Sequence, residues 1–533
     1  MRLTRRGLIA GGAAAGLLDG CTAETIPGTL AGADVARGHR LRDGRFPEPT
    51  AESSTQVAIV GGGIAGLAAA WARADAGGDV RRLELVDRAG GNARAGRHLV
   101  SAYPLGAHYL PIPNAESTGV IRLLERLGIV TGWQGGKPVF DPYQVVADPE
   151  ERLLHLGRWQ EGLIPAIGLS HRDKHDIAAF FARMAAYRDR RDDGRPAFAI
   201  PLALSSRAPD LMALDRLSMI AWMDAQGWRS PLLRAHVRYA CRDDYGTEPD
   251  EVSAWAGIHY FAGRRGAAAN VAGDSVLTWP EGNAHLAGRM AVRVRDRIDA
   301  ARIVYRVGKT AAGATIDSFD ARTGRSHRLH ARAAILATPH FVTARLTGTS
   351  TADFHYAPWI VANVTVDRPP AGPGFALAWD NVSSTSSSLG YVVANHQSLA
   401  TRPGPTVLTW YMPLSTDTPA AARRTLLARP LAEWQAIVKD DVLTINPDLK
   451  GAIRRIDVWR WGHAMIRPEP GFIWGDSRAA AAAPRPPLFF AHADLSGISI
   501  FEEAHHRGEV AAAAAMAHLG ASGGTSWTAA ARM

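Results

Sequence analysis

Short apolar runs recur along the chain at 56–60, 333–337 and 488–491, with the length of strands buried on both faces of a parallel sheet. The runs at 361–366, 407–411 and 453–459 alternate instead, as strands with one covered face do. Helical spacing marks 121–124, 177–187 and 214–228, one stretch near 420–439, the alanine-rich 64–76, and 505–519. The run at 56–60 leads through a glycine turn into the 64–76 helix and on to the 81–87 strand. That strand–turn–helix–strand unit predicts an α/β fold.

With 47 % hydrophobic and 21 % charged residues over 533 positions, the chain is neither disordered nor fibrous and can hold two or three domains. Its 60 basic residues exceed the 51 acidic ones, but only five are lysines (Lys137, Lys174, Lys309, Lys439, Lys450). The arginines are scattered, with no basic-aromatic stretch, so no nucleic-acid partner is expected.

Residues 1–20, MRLTRRGLIAGGAAAGLLDG, combine Arg5-Arg6 with a weakly apolar stretch at 8–18. A bilayer-spanning helix takes roughly 20 residues, so this stretch reads as an address rather than an anchor. It resembles a twin-arginine export signal, and Cys21 after Leu18-Asp19-Gly20 resembles the lipidated cysteine of a lipoprotein. Together they predict a periplasmic protein held at the membrane by a lipid anchor. Only Cys241 would remain, which excludes an intramolecular disulfide. Twin-arginine export carries folded proteins, so the signal also predicts a bound cofactor. Residues 21–55, with Pro27, Pro47 and Pro49 among glycines and charges, read as a tether.

Gly61-Gly62-Gly63-Ile64-Ala65-Gly66 is a GxGxxG fingerprint placed between a strand and a helix. Gly61 permits the tight turn, Gly63 lets backbone approach a pyrophosphate, and Gly66 lets helix pack on strand. The amides of Ile64 and Ala65 then open the helix toward the phosphates. Glu84 and Asp87 follow Gly61 by 23 and 26 residues, near the roughly 20 expected of an acid that binds ribose hydroxyls and disfavours a 2′-phosphate.

From here the sequence resembles the flavin amine oxidase and phytoene desaturase superfamily, whose second strand ends in an acid six and seven residues before a Gly-Gly pair. Glu84 has that spacing to Gly90 and Gly91, which makes Asp87 a surface residue. Asn92 stands where the family carries arginine, and Arg94 lies two further on, so the pyrophosphate contact is rearranged. Thr278 to Leu286 is similar to the family's Pro-x-Gly-x-x-x-Leu segment, 302–307 to the strand whose valine, here Val307, meets adenine, and 333–339 to the strand that exits at Thr-Pro. Leu488 to Asp494 looks like the last FAD strand, with His492 in place of glycine and Asp494 as the acid near the ribityl or pyrophosphate. The amides of Phe501 and Glu502 then open a helix whose positive end suits the N1–C2 edge of a reduced flavin.

The resemblance implies FAD held in a Rossmann-like domain of the amine oxidase type, assembled from the discontinuous segments 56–113, 267–340 and 487–520. A mixed α+β substrate domain would comprise a helical part at 114–266 and a sheet part at 341–486, with a tail at 521–533. That domain would roof the flavin and exclude water from hydride transfer. His108 and Tyr109, in a segment the family runs past the flavin, and His463, between tryptophans and Met465, are the candidate catalytic residues. The acids Asp243, Asp244, Glu248, Asp250 and Glu251 read as a solvated turn that could alternatively attract a cationic amine. No metal site is expected.

The implied activity is hydride transfer from a small, amine-bearing substrate to FAD. Ile500 takes the place of one tyrosine of the family's aromatic cage, and no lysine stands near Val361 or Ala362, where the family keeps one beside the flavin. The electron acceptor is accordingly oxygen, a quinone or a redox protein. A desaturase or isomerase of hydrophobic substrates, and a non-catalytic flavin-binding lipoprotein, stay open as alternatives.

Overall fold

Val57, Ala58 and Ile59 are wholly buried because the run they form becomes β1 (Ala51–Val60), the centre of a parallel sheet covered on both faces. The computed structural model describes residues 26–400 and 403–520. The expected export signal at 1–20, the lipidation at Cys21 and the tail at 521–533 lie outside the described residues. β1 turns into α1 (Ile64–Asp75), and the chain returns as β2 (Val80–Leu83) alongside β1. Strands Ile298–Asp299, β2, β1, Ser326–Leu336 and Leu488–Phe490 run parallel, and Gly313–Asp320 with Arg302–Thr310 extend the sheet antiparallel. The result is a Rossmann-like domain within a mixed α/β chain. Small residues let the last helix close over it, since a Cβ at Gly508 would stand 2.3 Å from the Ala65 carbonyl oxygen.

The second sheet has eight strands, among them β3 (Glu151–His155), β4 (Tyr356–Val366), β5 (Asp380–Ser383), β6 (Thr406–Pro413) and β7 (Ile453–Ile466). Across it the order is Leu30–Gly32, β7, β4, β6, Tyr391–Val393, β5, β3, Arg158–Glu161. Every residue of β4 is buried. Helices including α2 (Pro231–Tyr245) form a separate apolar cluster, and α3 (Phe501–His518) returns the chain to the first domain.

Three expectations change. The 114–266 stretch is not only helical: besides β3 and Arg158–Glu161 it holds the hairpin Val130–Gln134 with Lys137–Phe140. The single helix near 420–439 is two, Pro419–Ala428 and Leu431–Ile445, because proline disfavours helical geometry in the residue before it and Arg429 is extended ahead of Pro430. The 21–55 tether, described from residue 26, is folded. Leu30–Gly32 pairs in parallel with Val458 to Arg460 of β7, and helix Val35–Asp43 follows. Gly28 and Gly32 serve close approach rather than slack, since a Cβ would lie 1.8 Å from the Ile456 oxygen at Gly28 and 2.7 Å from the Arg460 oxygen at Gly32.

Candidate active site

At the end of β1, Gly61 has φ +108° and donates its N–H to the Leu83 carbonyl, which ties the start of the turn to β2. A Cβ at Gly66 would meet the Gly61 oxygen at 2.1 Å, and one at Gly91 would meet the Gly63 Cα at 3.1 Å. The floor of this crevice therefore admits no side chain. Gly63 is the N-cap of α1 and offers no side-chain cap, so the N–H groups of Ile64 and Ala65 are left for an anion. Glu84 is buried just past β2; its Oε1 accepts from the Val86 N–H at 3.0 Å, and its other oxygen lies under Gly62. Burial raises its pKa. Asp87, the other acid, is exposed and paired with Arg37 and Arg322.

Where arginine gives way to Asn92, the asparagine Nδ2 donates to the Ala464 carbonyl of β7 at 2.6 Å and ties the two domains together. Arg94 supplies the cation. Its Nε donates to the Gly91 oxygen at 3.1 Å, and its guanidinium lies 5.2 Å from the Trp459 ring and 5.5 Å from Trp461. A cradle without side chains, free helix amides, a buried acid and a neighbouring cation fit the two phosphates and the ribose of a dinucleotide such as FAD.

Three expected residues are placed elsewhere. The Arg302 N–H bonds the Glu84 carbonyl, whereas Val307 pairs with Ile316 five residues later, about 16 Å along the strand at ~3.3 Å per residue. The buried Val304 is the valine nearer the acid. Asp494 is engaged by protein: Oδ2 accepts from the His340 N–H at 2.8 Å and the Tyr356 hydroxyl at 2.6 Å, and Oδ1 lies 2.9 Å from His492 Nδ1. The His492 imidazole and these donors hold its carboxyl below the usual range against the opposing effect of burial. It fixes the helix start at His340 rather than facing the crevice openly. His463 is exposed and packs on Phe341 and Tyr356, outside the cavity described next. The cause is a bulge: Ala357 pairs with Met465 but Trp359 with Trp461, so β7 carries two extra residues that re-aim Ala464 and Met465 inward.

A cavity of about 150 Å³ lies between the second sheet, the 92–111 segment and the start of α3. One wall is aromatic and apolar, from Trp359, Val361, Tyr411 and Trp461. His108 and Tyr109 also line the cavity, with Phe501 and Glu502 at the helix end. No side chain caps α3, which leaves its first amides available. His108 stacks on Tyr411 at 4.6 Å, and burial pushes its pKa down to about 4, so it is a poor base. Tyr109 lies edge-on to Trp379, and its phenol is pushed up by burial.

The charged floor is the part sequence reasoning missed. Asp243 and Asp244, expected in a solvated turn, line the cavity near the end of α2. Asp244 takes the Arg264 guanidinium at 2.6 Å, and Arg264 also reaches the Tyr109 hydroxyl at 3.4 Å. Asp243 is in no ion pair among the described residues, and burial and the adjacent Asp244 raise its pKa. Burial likewise pushes Glu502 up to about 7. Of the remaining acids, Glu248 pairs with Arg238 and Glu251 with Arg467. The local signal that separates these cases is helical phase: Asp243 and Asp244 follow Tyr239 and Ala240 by one turn.

Residues 59–127 match the NAD(P)-binding Rossmann-like domain family. Over 333 residues, 61 % of this chain, the sequence is 24 % identical to the flavin-containing amine oxidase of Oncorhynchus mykiss, and the aligned part spans 56 % of that protein. Among solved structures, a double mutant of putrescine oxidase superposes with a TM-score of 0.65 at 17 % identity, covering 87 % of this chain and 100 % of that one. Cyclohexylamine oxidase from Brevibacterium oxydans superposes with a TM-score of 0.62 at 18 % identity, covering 88 % and 100 %. These likenesses show a shared fold.

Proposed function

We propose that the chain is an FAD-dependent oxidoreductase that oxidises a cationic amine. The observation that carries this reading is Asp243, a carboxyl in no ion pair among the described residues, which lines an aromatic cavity beside the dinucleotide crevice while the nearby Arg264 is bonded to Asp244. A buried charge without a partner is costly, and an alkylammonium held between Asp243 and the faces of Tyr109 and Tyr411 relieves that cost. The relatives' amine oxidase names support both cofactor and substrate class. The same charged floor disfavours a polyene or lipid.

Bound FAD supplies the hydride acceptor. The chain's own residues do the rest. Gly61, Gly63 and Gly66 with the amides of Ile64 and Ala65 would hold the phosphates, Glu84 the ribose, and Arg94 would balance charge. Trp359, Tyr411 and Trp461 exclude water and orient the carbon beside nitrogen. Asp243 first holds the ammonium and then takes its proton, because only the neutral amine releases hydride readily. Val361 lines the cavity where the family's lysine is expected, which supports a quinone or redox protein over oxygen as acceptor. The leader at 1–20 and Cys21 support export and lipid anchoring; Cys21→Ser should then move the protein from the membrane pellet to the soluble periplasm.

Purified protein should show a flavin spectrum that bleaches on anaerobic addition of an amine and recovers faster with a soluble quinone than with air. A colourless preparation sinks the cofactor reading. A flavin that polyenes or lipids bleach and amines do not sinks the amine.

A further inference from the structure

From Asp243 on the cavity wall, Tyr239, Asp380 and Glu151 follow by one helical turn, one hydrogen bond and one strand pairing. Tyr239 and Asp243 are four residues apart on α2, so they stack on one helix face. The Tyr239 hydroxyl donates to Asp380 Oδ2 at 3.2 Å. Asp380 is the direct partner of Glu151 in the parallel pairing of β5 with β3, which sets two carboxylates side by side, and Glu151 is exposed.

Like charges directly opposite on a sheet destabilise it, and neither carboxylate is in an ion pair among the described residues; Arg264 is taken by Asp244. Among those residues, no group of three or more His, Cys, Asp or Glu could hold a metal ion. Tyr239, Asp380 and Glu151 do not line the cavity, so a substrate held there does not touch them. A proton is what this row can carry.

We infer that Asp243, Tyr239, Asp380 and Glu151 form a proton path from the cavity wall to solvent. The inference rests on the amine reading, which delivers one ammonium proton to Asp243 per turnover. The Tyr239 hydroxyl accepts that proton from the Asp243 carboxyl and hands its own to Asp380. Asp380 passes one to Glu151, and Glu151 releases one to water. Every group returns to its starting state, and no electron moves along the row. Groups facing Asp243 are Asp244 on its own helix, Arg264 and Tyr260, Tyr109, Tyr411 on β6, and Asp380 and Glu151. Burial, then Glu151 and Asp243, raises the Asp380 carboxyl well above its ordinary range, so it can hold a proton in transit. His108 offers no competing outlet, since burial keeps it a weak base.

The test uses the holoenzyme, an amine that bleaches it, and a pH-indicator dye in weak buffer under anaerobic stopped flow. Tyr239→Phe should slow both proton release and bleaching at saturating amine by ~10-fold or more, with the amine Kd from the saturation curve within twofold of wild type. Glu151→Gln should show a smaller lag that added acetate or imidazole restores. A structural defect alone would shift Kd and flavin content without a dye lag or buffer rescue. Wild-type release and bleaching in Tyr239→Phe overturns the path. If no amine bleaches wild type, the amine reading fails by itself. Light-driven reduction of the bound flavin, which takes up a proton, then decides the row: equal dye-reported uptake in wild type and Tyr239→Phe overturns it.

Discussion

Asp243 and Glu502 place two carboxyls around one aromatic chamber, and Arg264 is committed to Asp244. Asp243→Asn keeps the shape and removes the charge, so amine affinity should fall ~10²-fold, within the range for truncating a buried charge pair, while flavin content stays. A flavin-bleaching titration reads both. Burial pushes both Glu502 and Asp243 up to about 7, so kcat/KM for a cationic amine should rise with pH toward that value as the carboxyls ionise, and Glu502→Gln should leave only the part of the limb that belongs to Asp243. The stability consequence has the opposite sign. A carboxyl whose folded pKa is raised contributes stability that is present below its unfolded pKa and lost as pH rises through the folded one. The substrate-free protein should therefore lose Tm between roughly pH 4.5 and 7, less so in Glu502→Gln and less so with a cationic ligand bound; thermal melts across pH check this.

At the scale of elements, Gly66 is where helix and strand come closest, with no flexible neighbour to give way. Gly66→Ala should cost on the order of 1–3 kcal/mol from overpacking and lower the flavin retained through purification, as read by melting and by the flavin-to-protein absorbance ratio. The same closeness explains why this element was legible. Gly61 to Gly66 must be small whatever surrounds them, and the strand at 333–337 is apolar because both its faces are covered. The pairing of β3 with β5 was not legible, because it joins segments more than 200 residues apart and follows from tertiary packing. His463 was misplaced for a related reason: alternation puts residues 461 and 463 on one face, and only the partner strand shows the bulge that breaks the count. At Asp243 the composition of a buried helix end and of a solvated turn is the same.

For the whole molecule, the segment at 26–43 belongs to both halves. Ile26 and Leu30 pack on the second sheet's core, while Leu41 packs on the Rossmann domain and Arg345 bonds the Leu41 and Arg42 carbonyls. Removing residues 26–43 should therefore lower Tm by several degrees, where loss of a true tether would leave it unchanged; circular dichroism melts of the full and shortened chains decide. Pro27 and its glycines suggested slack because composition does not register which backbone they lie against. Paired into one sheet and seated on the other domain, this strap acts like a rivet. Parting the two halves as jaws would strip Leu30–Gly32 from β7 and pull Leu41 out of its seat. The cavity mouth is then a fixed doorway, and traffic through it keeps time with diffusion rather than with a hinge.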